Sequence, residues 1–106
     1  MKNALAISIL LMTVNASATS YLEPLLGLLR DAHGVTFQVF SGGCTHKEDF
    51  AVRHGTSNGE TTVGLYRINP DHCLAYYSYG IQLQYSYEEL GVDPSQRFNI
   101  VNPVSD

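Results

Sequence analysis

Residues 49–68, DFAVRHGTSNGETTVGLYRI, contain two strand signals separated by a turn signal. Phe50 and Val52 predict a strand at about 49–54, and a second strand is predicted near 61–68. The turn between them contains Asn58-Gly59, a pair that adopts positive φ at little cost. The segment therefore predicts an antiparallel hairpin.

Three further strand signals flank this hairpin. Apolar residues alternate with polar ones at 35–39, and a last strand is predicted at 98–101. Residues 74–86 give the clearest hairpin signal in the chain, with the turn at Tyr79-Gly80, because this register separates an apolar face from a polar face. The apolar face would carry Leu74, Tyr76, Ile81, Leu83 and Tyr85.

One helix is predicted at 20–33. Ser20 and Glu23 fit a capping box, and four leucines follow at helical spacing from Leu22 to Leu29. Single helical turns are also predicted at 45–48 and 86–90, each with Ser/Thr-x-x-Glu at its start. The predicted fold class is therefore α+β, with one N-terminal helix packed on a mainly antiparallel sheet of five or six short strands.

Residues 1–18 are predicted to be a cleaved signal peptide. A positively charged start precedes an apolar run at 4–14, and Ala16-Ser17-Ala18 provides the small-x-small cleavage pattern. The alternative is an uncut buried helix. We expect export to the periplasm or beyond, a single domain at 19–106, and no membrane anchor after cleavage.

The net charge limits the kind of partner, and the cysteines indicate the compartment. Cleavage removes Lys2 and leaves five basic and ten acidic residues, a net charge of −5 that argues against nucleic acid as a partner. Cys44 and Cys73 are predicted to form a disulfide in an oxidising compartment. Closing a loop of about thirty residues stabilises the fold by roughly 3.5 kcal/mol on the chain-entropy estimate. Free or metal-binding thiols are the alternative.

Two regions are candidate partner-binding surfaces. The segment Asn69-Pro70-Asp71-His72-Cys73 combines a stiff proline with acidic and imidazole groups at the base of the predicted disulfide. The hairpin's polar face offers tyrosine rings and amides, which suit a protein or a glycan. The alternative for the segment is a constrained connection between strands, and the alternative for the polar face is an ordinary solvated surface. The predicted binding residues are Asp71, His72, Tyr77, Tyr79, Gln82 and Gln84.

These features predict an exported binding protein without catalysis or a cofactor. Its most concrete form is an inhibitor of a cell-wall hydrolase or a protease that occludes the target's cleft with a loop. One alternative is a small metal-binding protein or Cys/His enzyme centred on His46 and His72, although their spacing matches no metal or catalytic motif. Another is a structural subunit of an envelope assembly.

Overall fold

The computed structural model describes residues 20–105, which fold into two β-sheets around one apolar core. The predicted signal peptide lies outside these residues. The first sheet contains β1 (Tyr21–Leu22), β4 (Phe50–Ser57), β5 (Glu60–Arg67) and β7 (Phe98–Ile100). The second sheet contains β2 (Leu25–Arg30), β3 (Gly34–Val39) and β6 (Ile81–Ser86), with β3 in the middle.

The hairpin of β4 and β5 forms as predicted. Its pairing runs without a break from Phe50 opposite Arg67 to Ser57 opposite Glu60. Asn58 and Gly59 form the turn with φ values of 54° and 79°, the left-handed conformation that this pair tolerates. On its other side, β5 pairs antiparallel with β1 and parallel with β7, so β5 is the centre of the first sheet.

The core lies between inward-facing residues of both sheets. Each strand has a period of two, so alternate residues of β3 and β5 are buried. Phe37 and Tyr85 meet edge to face with ring centroids 5.5 Å apart. The buried apolar residues form one cluster: Leu25, Val35, Phe37, Val39, Phe50, Val63, Leu65, Leu83, Tyr85, Leu90 and Phe98.

The prediction of an N-terminal helix, and with it the α+β class, is wrong: the described chain is mostly β. Residues 20–33 instead form β1, β2 and the turn into β3, and β2 pairs antiparallel with β3. Leucines at helical spacing stabilise a short helix only if their stripe is buried. Here Leu25 is buried, whereas Leu29 is 61% exposed. Glu23, taken for a capping residue, is buried in an ion pair.

The predicted hairpin at 74–86 is also wrong. Ile81–Ser86 is a strand, but its partner is β3, with Val39 opposite Ile81 and Gly34 opposite Ser86. Residues 74–78 pair with no strand. As a result Leu74 and Tyr76, assigned to the core by the hairpin register, are 97% and 80% exposed. Tyr85 is buried as predicted.

Helical structure in the described chain is limited to two short turns. The helix α1 (Tyr87–Leu90) has the predicted capping box, in which Ser86 and Glu89 bond each other's backbone, and it ends at Gly91 with φ 71°. A 3₁₀ turn covers Lys47–Asp49, so it starts two residues later and ends one residue later than the predicted turn at 45–48. Neither turn has the length or apolarity that a membrane-spanning helix requires.

A buried ion pair joins β5 to the chain entering β2. The guanidinium of Arg67 donates Nε to Glu23 Oε1 and Nη2 to Glu23 Oε2, both at 2.9 Å, and the two side chains are 2% and 3% exposed. Burial alone would lower the pKa of Arg67. The hydrogen bonds and charge of Glu23 outweigh that effect, so the pKa is raised and the guanidinium stays charged.

The side chain of Asn102 bonds backbone groups next to the Arg67–Glu23 pair. Its Oδ1 accepts from Leu65 N at 2.9 Å, and its Nδ2 donates to Glu23 O and Leu65 O at 2.8 Å each. Next to it, Pro103 and Ser105 bond the backbone of Leu25. The C-terminal segment therefore holds the Glu23–Leu25 corner against β5.

Removing one partner of the Arg67–Glu23 pair should destabilise the protein strongly. Arg67→Met leaves the Glu23 carboxylate buried without its cation, a change that costs about 3–5 kcal/mol of unfolding free energy. Urea denaturation followed by circular dichroism measures the loss. The exposed pair Arg97–Glu60, at 3.4 Å, provides the matched control, because Arg97→Met should shift stability by about 0.5 kcal/mol or less. Equal effects of the two substitutions would contradict this account.

Candidate functional site: a tethered aromatic loop

The connection from β5 to β6 is a long loop that presents large side chains to solvent. We call residues 69–80 the aromatic loop. Tyr76 and Tyr79 are 80% and 81% exposed, and Leu74 and Tyr77 are exposed beside them. Residues 72–80 contain no Asp, Glu, Lys or Arg. Tyrosine and serine in a loop without charges are typical of protein-binding surfaces such as antibody paratopes.

A disulfide fixes the beginning of the aromatic loop. Cys44 and Cys73 are bonded as predicted, with their Cα atoms 5.7 Å apart and a sequence separation of 29. The bond joins the loop to the segment that follows β3. A disulfide is compatible with the predicted extracytoplasmic location, since such bonds persist in oxidising compartments.

The carboxylate of Asp71 organises the same end of the loop. Its Oδ2 accepts from Gly42 N at 2.8 Å, from Cys44 N at 3.1 Å and from the hydroxyl of Thr45. Its Oδ1 accepts from Cys73 N at 2.9 Å. The bond from Thr45, together with these backbone donors, holds the pKa of Asp71 well below its ordinary value. Asp71 is therefore ionised, and it accepts hydrogen bonds from the backbone around both cysteines. We call this arrangement the Asp71 cap.

Backbone contacts fix the rest of the loop. Ala75 N donates to Gly42 O at 2.9 Å, and the side-chain amide of Gln38 donates to Tyr79 O. Gly80, at φ 67°, lies against β3 so closely that a Cβ there would be 2.0 Å from Val39 O. The loop is thus tethered at both ends, and its exposed rings project from a fixed backbone.

The structure separates the predicted binding residues into two groups. Asp71 faces inward and shapes the loop, while the side chain of His72 is exposed beside it. Tyr77 and Tyr79 belong to the aromatic loop. Gln82 and Gln84 instead lie on β6 and point away from the core, because Leu83 and Tyr85 alternate with them and are buried. Gln38 links the two groups through its bond to Tyr79 O.

Sequence reasoning missed two of the most exposed residues of the loop. Leu74 and Tyr76 were assigned to a core face, because the alternation from Leu74 to Tyr85 fits a hairpin. A different signal was present in the sequence: nine consecutive residues from His72 to Gly80 without a carboxylate, lysine or arginine. Such a run, placed next to a disulfide, is typical of a constrained contact loop.

His46 and His72 are not brought together with a third ligand in the structure. Within residues 20–105, the one group of possible metal ligands is Cys44, Asp71 and Cys73, and neither histidine belongs to it. Its two sulfurs are bonded to each other, so they are not thiolates available to a metal. His46 is exposed and lies 3.8 Å from Asp49.

Removing the Asp71 carboxylate should loosen the start of the loop. In Asp71→Ala, amide exchange at Gly42, Cys44 and Cys73 should accelerate, because these N–H groups lose their acceptor. Hydrogen exchange followed by NMR measures this change. Asp93→Ala is the matched control, since Asp93 caps only Ser95 in a separate turn. Unchanged exchange in Asp71→Ala would contradict the capping role.

The hydrogen bonds accepted by Asp71 make the stability of the loop base depend on pH. Asp71 has a lowered pKa in the folded protein, so its stabilising effect is complete above the ordinary value of 3.8. It is lost as the pH falls from that value through the lower folded pKa. Protection of the three capped amides should therefore decrease in acid, and in Asp71→Asn this acid-dependent decrease should be absent.

Comparison of the chain with protein-family models, with curated proteins and with solved structures finds no match. Function is therefore inferred from the chemistry and geometry of the chain itself. The most distinctive feature is the aromatic loop, in which exposed rings are combined with a backbone tethered at both ends.

Proposed function

We propose that this chain is a non-enzymatic binding protein that inserts the aromatic loop into a cleft of a partner protein. The observation that carries this proposal is the exposure of Leu74, Tyr76, Tyr77 and Tyr79 on a doubly tethered loop. Tyrosine is one of the residue types enriched among the binding hot spots of protein interfaces. These exposed side chains contribute little to the core, so they do not stabilise the fold of the free protein.

The tethers favour binding by lowering its entropic cost. A flexible loop must be ordered when a complex forms, whereas a constrained loop is ordered beforehand. Here the disulfide, the Asp71 cap and the Gly80 contact with β3 fix the backbone on both sides of the exposed rings. Asp71 acts as a positioning residue, while His72 and the tyrosines supply the contacts.

The partner class that fits is an enzyme with an apolar cleft, in the periplasm or outside the cell. The most concrete form is inhibition of a cell-wall hydrolase or a protease by steric occlusion. A protruding loop enters a concave active site, and its apolar tip suits the apolar lining of such a site. The net charge, −4 for the full chain and −5 without residues 1–18, favours a cationic partner and faster association with it.

Truncation of the exposed tyrosines tests this proposal. Chain lacking residues 1–18 is used as bait in envelope and culture-medium extracts, and captured enzymes are assayed for inhibition together with a panel of muramidases and proteases. Tyr76→Ala and Tyr79→Ala should each weaken partner binding by about 2 kcal/mol, or roughly thirtyfold, as expected for hot-spot tyrosines. Both variants should keep the wild-type melting temperature, because both rings are exposed.

Leu29→Ala is the matched control for these variants. Leu29 is also an exposed apolar side chain, but it lies on β2 and outside the aromatic loop. Its truncation should leave partner affinity unchanged. Equal recovery and inhibition of every captured partner by wild type and by Tyr76→Ala/Tyr79→Ala would refute binding through the loop.

Loss of the tether should weaken binding without removing any contact side chain. In Cys44→Ser/Cys73→Ser the rings remain, but the loop must be ordered on binding, so we expect about a tenfold lower affinity. Titration calorimetry should show this loss mainly as a less favourable binding entropy. The measurement is made at a temperature at which circular dichroism shows the variant folded. Undiminished affinity of the folded variant would contradict the role of pre-ordering.

A further inference from the structure

The outward face of the second sheet has a composition unusual for a solvated surface. Residues of β3 and β6 that alternate with the core positions point outward, and none of them is charged. We call this surface the amide face. Its side chains are those of Thr36, Gln38, Gln82, Gln84 and Ser86. β6 is an edge strand of its sheet, and exposed edge strands are commonly protected by charged side chains such as Lys, so the uncharged outward positions of β6 are notable.

The amide face is a regular array of hydrogen-bonding groups. Thr36 lies opposite Gln84, and Gln38 lies opposite Gln82. Neighbouring strands are about 4.8 Å apart, and successive outward residues on one strand are about 6.6 Å apart. The array therefore offers amide and hydroxyl groups at regular intervals, both along each strand and across the pair of strands.

A pocket adjoins the array at the turn between β2 and β3. It has a volume of about 390 Å³, within the range of small-ligand sites. Its polar lining residues are Asp31, His33, Thr36, Gln84, Ser86 and Glu89. Asp31 Oδ1 accepts from the backbone of residues 33 and 34, while its Oδ2 makes no hydrogen bond within residues 20–105. A free carboxylate oxygen can accept a bond from a ligand hydroxyl.

Apolar surface borders the hydrogen-bonding groups. Leu29 of β2 lies opposite Thr36 and is 61% exposed. At the other end, Tyr79 is exposed and is bonded to the face through Gln38. A sugar ring presents hydroxyl groups at its edge and C–H groups on its faces, so it needs both kinds of surface.

We propose that the amide face and its pocket bind a neutral oligosaccharide. Acidic glycans do not fit, because Asp31 and Glu89 are acidic and the nearby Lys47 is paired with Glu89 at 2.8 Å. Amides recognise hydroxyl and acetamido groups through paired donors and acceptors without charge. Tyr79 borders both surfaces, and the rest of this site is separate from the protein contact proposed for the aromatic loop.

Titration calorimetry with defined oligosaccharides tests the proposal. The probes are an N-acetylglucosamine tetramer and cellotetraose, with heparin as the anionic comparison. At least one neutral probe should bind saturably at millimolar concentration. Gln82→Ala/Gln84→Ala should lower its affinity at least about fivefold, since each neutral hydrogen bond changes an equilibrium constant by a factor of about 2–10. Both glutamines are exposed, so the variant should keep the wild-type melting temperature.

Two control variants separate the possible outcomes. Gln96→Ala removes an exposed glutamine from a different pocket, beside β7, and should leave saccharide binding unchanged. Tyr76→Ala should also leave it unchanged, which distinguishes this site from the loop. Failure of both neutral probes to bind, equal binding by Gln82→Ala/Gln84→Ala, or tighter binding of heparin would each overturn the proposal.

Discussion

The buried guanidinium of Arg67 is the contact on which the arrangement of the other segments depends. Besides Glu23, it donates to Phe40 O at 2.9 Å and to Thr45 Oγ1 at 3.1 Å, and its Cζ lies 4.6 Å from the centre of the Phe50 ring. A charge taken out of water is tolerated only where its donors are satisfied. Its partners lie in separate parts of the chain, so their positions relative to β5 are fixed together. A buried ion pair adds little stability over apolar packing of the same volume, and we infer that its main effect here is on specificity.

The network continues from Arg67 to the surface. Thr45 accepts from the guanidinium and donates to the carboxylate of Asp71, which in turn caps the two cysteine segments. The core and the base of the aromatic loop therefore share one chain of hydrogen bonds. Since a half-satisfied buried network is costly, the loop base is held in one arrangement. The disulfide restricts the unfolded chain as well, so the loop is constrained by two independent means.

Local signals predicted those parts of the fold that depend on neighbouring residues. Asn58-Gly59 specifies its own turn, Ser86 and Glu89 cap the same short helix, and the cysteine count in an oxidising context specifies one disulfide. The N-terminal segment was mispredicted, because its leucine spacing fits a helix. In the structure β2 pairs with β3, the next strand, and β1 pairs with β5, more than forty residues away. β6 was paired with the wrong strand for a similar reason. Gly80 was predicted to form a hairpin turn, whereas in the structure it lies in close contact with β3.

The candidate site was predicted in part: the tethered segment and two tyrosines were recognised, but Leu74 and Tyr76 were assigned to the core.

Residues 74–78 do not pair with β6, and this lack of pairing leaves the side chains of the aromatic loop exposed. Had residues 74–78 paired with β6, Leu74 and Tyr76 would have been buried, and β6 would have had a partner on each side. Because the Cys44–Cys73 bond and Asp71 draw the chain toward the segment after β3, residues 74–78 are held away from β6. The apolar side chains that a hairpin would bury are left in solvent, at a place fixed by covalent and charged contacts. An apolar surface maintained by such tethers is expected of a contact site, since a fold selected for stability alone would bury these side chains.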